Sequence, residues 1–200
     1  KTKGLIKPIL IFHSKEEVPR ALSKDIKAFV VEDNKDLKKY ADKIYEARKH
    51  KNISHEEAAA LANQPHFIGP TMVAMGEADG EVCGIECTTA DTLRGALQIV
   101  KPAMDVKVVC SAFVMEKDNE RLIFGDCSVN INPDSEELAS ITRSIAQLSA
   151  DVANLKQIRI ALLSYSTVGS GKGPSVDKVK NAYGLLQVDE SFINRYSVFG

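Results

Sequence analysis

Residues 81–100 read EVCGIECTTADTLRGALQIV, and how this stretch divides decides the fold. Glu81 to Ile85 reads as a strand running into small residues. Thr88 or Thr89 then caps a helix whose apolar stripe is Leu93, Ala96, Leu97 and Val100, with Arg94 in its second turn. Strand, short loop and capped helix make one βα step, and outward from it the chain repeats the pattern. Short apolar runs rich in Val and Ile alternate with segments of helical period, as in an α/β protein with a largely parallel sheet. The other strand candidates are Pro8 to Phe12, Ala28 to Val31, Lys107 to Met115, Arg121 to Asp126 and Arg159 to Leu163. Only the polar segment EKDNE separates the runs ending at Met115 and starting at Arg121, so these two should form an antiparallel hairpin.

Three further helices follow from their caps. Asp134 with Glu137 makes a capping box ahead of Leu138, Ile141, Ile145, Leu148 and Val152, a repeat of three and four over about five turns. Ser54 with Glu57 repeats the box before an alanine-rich run, and Asn34 is placed to cap a helix over Lys35 to Lys51. A fourth starts near Pro174 and Ser175. Pro102, in KPAMD, ends the preceding helix and marks the best boundary, giving domains of 1–104 and 105–200. The opening KTKGLIKPILIF and the closing RYSVFG read as cut ends, or as those of an unusually abrupt chain.

Two hundred residues with 44% hydrophobic content suffice for a real core, and charges making up 26% of the chain cancel to a net −1. No basic stripe announces nucleic acid, and no apolar run approaches the length needed to span a membrane, which points to a cytoplasmic protein. Cys83, Cys87, Cys110 and Cys127 lack zinc-site spacing and read as reduced, mostly buried thiols. The four histidines form no metal-ligand pattern, so no metal is expected.

Local chemistry departs from ordinary folding in three places. At Thr88 to Arg94, free helix N–H groups, hydroxyls and a cation converge where the helix dipole is positive, which suits a phosphate or carboxylate. Spacing alone favours an ordinary capped helix with a surface arginine. Arg48 falls on the same stripe as Leu37, Ala41 and Ile44 and so faces inward, where its charge needs a carboxylate, a cluster of carbonyls or a bound anion. ALLSYSTVGSGKGPSVD, residues 161–177, joins a strand to a helix through a Ser/Thr/Gly loop that lets backbone amides approach an anion, with Lys172 as a point charge. It is not a Walker A loop, because Gly173 follows Lys172 where a hydroxyl is required.

YEARKHK (45–51), TMVAMGEADGEVCG (71–84), TTADTLRGALQIVK (88–101), FGDCSVNINP (124–133) and ALLSYSTVGSGKG (161–173) together resemble the phosphate acetyltransferase family. The resemblance implies a two-domain, three-layer α/β/α fold of the isocitrate dehydrogenase type, the second domain inserted in the first and the active site between them. It implies transfer of an acetyl group between acetyl phosphate and coenzyme A, with coenzyme A as substrate, no cofactor or metal required, and a homodimer. Arg48 and Arg94 match the family's two active-site arginines, and Thr88, Thr89, Asp91 and Thr92 its anion-site loop and helix start. Ser166, Thr167, Gly169 and Ser170 match its second small-residue loop. The family's acid-base residues, in an Asp-Leu-Ser-Arg stretch with a following aspartate, are expected beyond Gly200, so the 200 residues alone should catalyse little. Gly95 stands where the family usually carries proline, which loosens the helix behind Arg94. A noncatalytic acyl-CoA-sensing module and phosphate butyryltransferase are the alternatives the same resemblance leaves open.

Overall fold

The computed structural model of the chain describes residues 4–104, 106–118, 120–167 and 169–200. Lys1 to Lys3 of the opening run, Asp105 of the boundary segment, Asn119 of the hairpin turn and Val168 of the Ser/Thr/Gly loop lie outside the described residues. The chain divides into two compact units, Lys1–Pro102 and Ala103–Gly200.

The first unit pairs β1 (Ile9–Phe12) with β2 (Lys27–Val30) in parallel, Ile9 opposite Lys27 and Phe12 opposite Val30. Helices α1 (Leu37–Arg48), α2 (His55–Ala62) and α3 (Pro65–Ala74) follow. Then α4 (Thr89–Gly95) runs on into a single π turn, Ala96–Val100. Phe29, Val31, Tyr40, Ile44, Phe67, Ile68, Met72 and Ile99 share the core. The Ser54–Glu57 capping box closes as expected, at 3.1 and 2.8 Å. Asn34 does not cap α1 directly. Its Oδ1 accepts from Asp36 N–H at 2.8 Å, a local turn that delays the helix to Leu37, and three residues of 3₁₀ turn replace its last predicted turn.

Helix α3 carries no periodic stripe, because nearly all of it is core: Phe67, Ile68, Gly69, Pro70, Thr71 and Met72 are buried. Pro65 sits at its start, where a missing N–H costs nothing, and the Thr71 hydroxyl donates to Phe67 O at 2.6 Å across the turn that Pro70 disturbs.

The strand expected at Glu81 to Ile85 does not form. Val82 and Ile85 project into solvent and Gly84 takes φ +119°, so this alternating run has no neighbouring strand to hold it extended. The stripe of α4 is also rotated from its expected position. Gly95 and Ile99 are the buried residues, and Leu97 and Val100 are exposed. Gly95 causes the rotation: a Cβ there would lie 2.5 Å from His66 O and 3.0 Å from Pro70 Cγ, so the bare glycine face is the one that can lie against α3.

In the second unit, β3 (Ala112–Lys117) and β4 (Glu120–Gly125) form the expected antiparallel hairpin, Ala112 opposite Gly125. The first of these strands starts later than its apolar run because Ser111, just before it, is taken by the Asp126 carboxylate rather than by a partner strand. Helix α5 (Ser135–Asp151) carries the Asp134–Glu137 box, both bonds at 2.9 Å. Strand β5 (Arg159–Ala161), helices α6 (Pro174–Gln187) and α7 (Glu190–Ile193), and β6 (Ser197–Phe199) complete the unit, with β5 and β6 parallel. Ala139, Ala146, Ala182, Leu186, Phe192, Tyr196 and Val198 form its core. The cysteines are free thiols but not core residues: Cys83 is exposed and the other three are half-buried. Among the described residues no helix is long and apolar enough to cross a membrane.

Candidate functional site

Thr88, Asp91 and Arg94 form one connected set. Thr88 is the N-cap of α4: its Oγ1 accepts from Asp91 N–H at 3.2 Å and donates to Asp91 Oδ2 at 2.7 Å. Arg94 Nη1 then meets Asp91 Oδ1 at 3.2 Å, one turn along the helix. The Thr88 hydroxyl, followed by the Arg94 charge, holds the Asp91 carboxyl below its ordinary value. Asp91 is thus an internal anion at a helix start, the place an external phosphate would take. Arg94 is half-exposed and monodentate in this pair, so its remaining N–H groups are available to a second oxyanion. Thr92 turns the other way, its Oγ1 3.1 Å from Cys87 Sγ, and Thr89 is exposed.

Arg48 stands at the C-terminal end of α1, on the stripe that buries Tyr40 and Ile44. Its Nε is buried and has no hydrogen-bond partner among the described residues. Among the described residues no carboxylate pairs with its guanidinium, so the buried-ion-pair reading of this position finds no partner. Beside it, Tyr45 stacks on His55 with ring centroids 3.8 Å apart, which ties the end of α1 to the start of α2. Among the described residues no hydrogen bond or ion pair joins Arg48 to the Thr88–Arg94 set.

Ser166, Thr167, Gly169 and Ser170 lie in the second unit, between β5 and α6. Here the hydroxyls satisfy the loop itself. Ser170 Oγ donates to Thr167 O at 2.8 Å, Ser170 N–H to the same oxygen at 3.0 Å, and Ser166 N–H to Ser164 Oγ at 3.3 Å. Gly169 at φ +82° makes the turn, and Gly171 leaves room for the Ser166 side chain. Gly173, with φ +121° and no side chain, opens α6 uncapped, leaving first-turn amides without a side-chain acceptor. Lys172 is exposed, and its carbonyl accepts from Tyr165 OH at 3.0 Å.

One anchor escapes sequence reading. The Asp126 carboxylate, within FGDCSVNINP, accepts from Ser111 N–H (2.9 Å) and Oγ–H (2.5 Å) and from Asn130 N–H and Nδ2 (both 2.6 Å). Burial pushes its carboxyl up, but the Ser111 and Asn130 hydrogen bonds outweigh burial and hold it far below the ordinary range. The signal was an Asp followed by small residues and Asn, the composition of side-chain-to-backbone turns. Among the described residues no group of three or more His, Cys, Asp and Glu is placed to hold a metal ion.

Residues 1–193 match the profile of the phosphate acetyl/butaryl transferase family. The chain is 40% identical to phosphate acetyltransferase of Mycoplasma genitalium over 206 residues, which is 96% of this chain and 63% of that protein. The Mycoplasma pneumoniae enzyme of the same name is 38% identical over the same shares. In three dimensions the chain resembles EutD phosphotransacetylase from Staphylococcus aureus (TM-score 0.75, 34% identity) and a phosphotransacetylase from Streptococcus pyogenes (0.73, 34%). Each match takes in 88% of this chain and 53% of that structure, so the chain spans roughly half to two thirds of the proteins it resembles. A mixed α/β fold matched to phosphotransacetylases, with residues 1–193 under one family profile, places this chain in the phosphate acetyl/butyryl transferase family.

Proposed function

We propose that the protein of which these residues form part transfers an acetyl group between acetyl phosphate and coenzyme A. The observation that carries this is Arg48, an arginine whose buried Nε has no partner among the described residues, in a chain of this family. Leaving the buried N–H of a half-buried arginine without a partner is costly unless a ligand supplies the acceptor. Acetyl phosphate, phosphate and coenzyme A all do so. Arg48 and Arg94 hold phosphoryl oxygens; in the Thr88–Thr92 helix start, where the Asp91 and Thr92 N–H groups are already bonded to Thr88, the first-turn N–H of Thr89 is left to add. Ser166, Thr167, Gly169 and Ser170 contribute small side chains and amides to the second binding element.

In the acyl-CoA direction the thiol sulfur attacks the acetyl carbonyl carbon. An S–C bond forms, the C–O bond to phosphate breaks, and phosphate leaves with the electron pair while a base takes the thiol proton. The arginines lower the barrier by holding charge that grows on the departing phosphate. The finer architecture belongs to the same proposal: domains over 1–104 and 105–200 in a three-layer, isocitrate dehydrogenase-like arrangement, in a cytoplasmic homodimer that needs no metal.

Thioester formation from acetyl phosphate and coenzyme A, measured on the full-length protein, tests this. A charge-assisted contact is worth roughly 1.5–3 kcal/mol, so Arg94→Ala and Arg48→Met should each lower kcat/KM about ten- to a hundredfold. Unchanged kinetics in both variants would remove the anion site from the reaction. Butyryl phosphate in the same assay decides between acetyl and butyryl preference.

A further inference from the structure

A hollow of about 700 Å³ lies where β5 and β6 begin, lined by Lys156, Gln157, Ile158, Arg159, Arg195 and Ser197. Two strand starts build it. Arg159, the first residue of β5, stands opposite Ser197, the first residue of β6, and Ser197 N–H donates to Ile158 O at 3.3 Å. Lys156 and Arg195 enter from the turns that precede the two strands. Both strands run away from the hollow, so the Ser166–Ser170 loop, which follows β5, belongs to the opposite end of this sheet. Parallel sheets place their usual ligand crevices beyond the strand ends, on the side of that loop, and the hollow is separate from it.

Three cations line this space, and among the described residues no carboxylate does. Elsewhere in the same unit Arg121 and Arg143 each meet a carboxylate, Glu116 and Asp189. Lys156, Arg159 and Arg195 are exposed, and among the described residues none of them is in an ion pair. Arg195 is also held in place. Its guanidinium lies over the buried Tyr196 ring, 5.2 Å from the centroid, which fixes one face and leaves the N–H edge free. Charges of one sign gathered in one hollow repel each other, and an anion relieves them.

We propose that this hollow binds the polyphosphate chain of a small anion, free or carried by a nucleotide. A single phosphate carries a charge of about −1.5 to −2, which leaves part of the three positive charges unmatched, whereas a di- or triphosphate answers all three. The two guanidinium forks suit paired phosphate oxygens, Lys156 adds a point charge, and Gln157 and Ser197 add neutral donors. A nucleic acid fits poorly. Its backbone needs a longer basic track than one hollow on a chain of net charge −1, and no free aromatic ring lines the space to stack a base. The site stands apart from the acyl-transfer reading and shares no residue with it.

Amide proton–nitrogen correlation spectra of the isotopically labelled chain, titrated with tripolyphosphate, ATP and AMP at matched ionic strength, test this. Tripolyphosphate should shift the amides of Gln157 to Arg159 and Arg195 to Ser197 together and saturably, and AMP should bind at least about tenfold more weakly. Arg159→Gln with Arg195→Gln should weaken tripolyphosphate about tenfold or more, with circular dichroism confirming the fold. Should that variant not fold, Lys156→Gln carries the test, with a loss of about two- to fivefold. Equal affinities for tripolyphosphate and ATP identify the free chain as sufficient, and tighter ATP identifies a nucleotide; either upholds the site. AMP binding as tightly as ATP, no shifts around the hollow, or equal titration of parent and folded variant would overturn it. Shifts around Thr88–Arg94 report the acyl phosphate site separately, so either reading can fail alone.

Discussion

Arg48→Met is expected to stabilise the ligand-free protein and to abolish its stabilisation by phosphate. Methionine keeps an unbranched apolar stem as far as the arginine Nε position and has nearly the same helix propensity, so the change removes chiefly the guanidinium. Removing a buried donor with no partner relieves about 1–3 kcal/mol. Against this, a cation in the last turn of α1 is lost, and with it about 0.3–1 kcal/mol of interaction with the helix dipole. The net expectation is a gain of about 0–2.7 kcal/mol in chloride. Phosphate at a hundredfold excess over its dissociation constant should then stabilise the parent by about 2.7 kcal/mol and leave the variant where it was, reversing their order. Urea unfolding followed by far-ultraviolet circular dichroism, in chloride and phosphate buffers of matched ionic strength, reads both quantities. A variant less stable than the parent in chloride, or an equal response of both proteins to phosphate, would refute the reasoning and make Arg48 an ordinary packing residue.

Gly95→Ala should destabilise the first unit by about 1–3 kcal/mol despite alanine's better helix propensity, because its Cβ would meet the rigid His66 carbonyl at 2.5 Å; thermal unfolding measures it. Asp126→Ala should cost at least about 1–3 kcal/mol by stranding the Ser111 and Asn130 donors, lowering the unfolding midpoint of the second unit. Glu77 accepts from Lys39 at 2.6 Å and Tyr40 OH at 2.7 Å, and these bonds, Lys39's first, hold its carboxyl below the ordinary value. Its contribution to stability is therefore complete above the unfolded-state value, near 4.3, and is lost as pH falls through the lower folded value. Glu77→Gln should be less stable than the parent at neutral pH, and the difference should shrink in acid. An acid titration of the two proteins' melting temperatures shows the sign.

Capping and hairpin chemistry could be read directly because they are local. Ser54–Glu57, Asp134–Glu137 and Thr88–Asp91 each satisfy helix N–H groups within four residues, and the short gap between β3 and β4 leaves room only for an antiparallel return. The inward direction of Arg48 was legible for the same reason, since it follows from counting along one helix. Sequence likewise marked the families of residues, arginines, threonines and small-residue loops, that suit phosphate.

What sequence could not decide depended on residues far apart in the chain. Glu81 to Ile85 has strand composition but no strand beside it, so it stays irregular. Helix α3 has no stripe because the rest of the unit surrounds it, and two prolines disguise it further. The buried side of α4 was set by His66 and Pro70 against Gly95, a contact between segments about 25 residues apart that no periodicity within the helix contains. Sequence alone therefore determined the capping boxes and the hairpin, which local hydrogen bonding and connection length dictate. Only tertiary structure decided that, among the described residues, the buried Arg48 Nε meets no partner, because burial and pairing there depend on which distant surfaces meet.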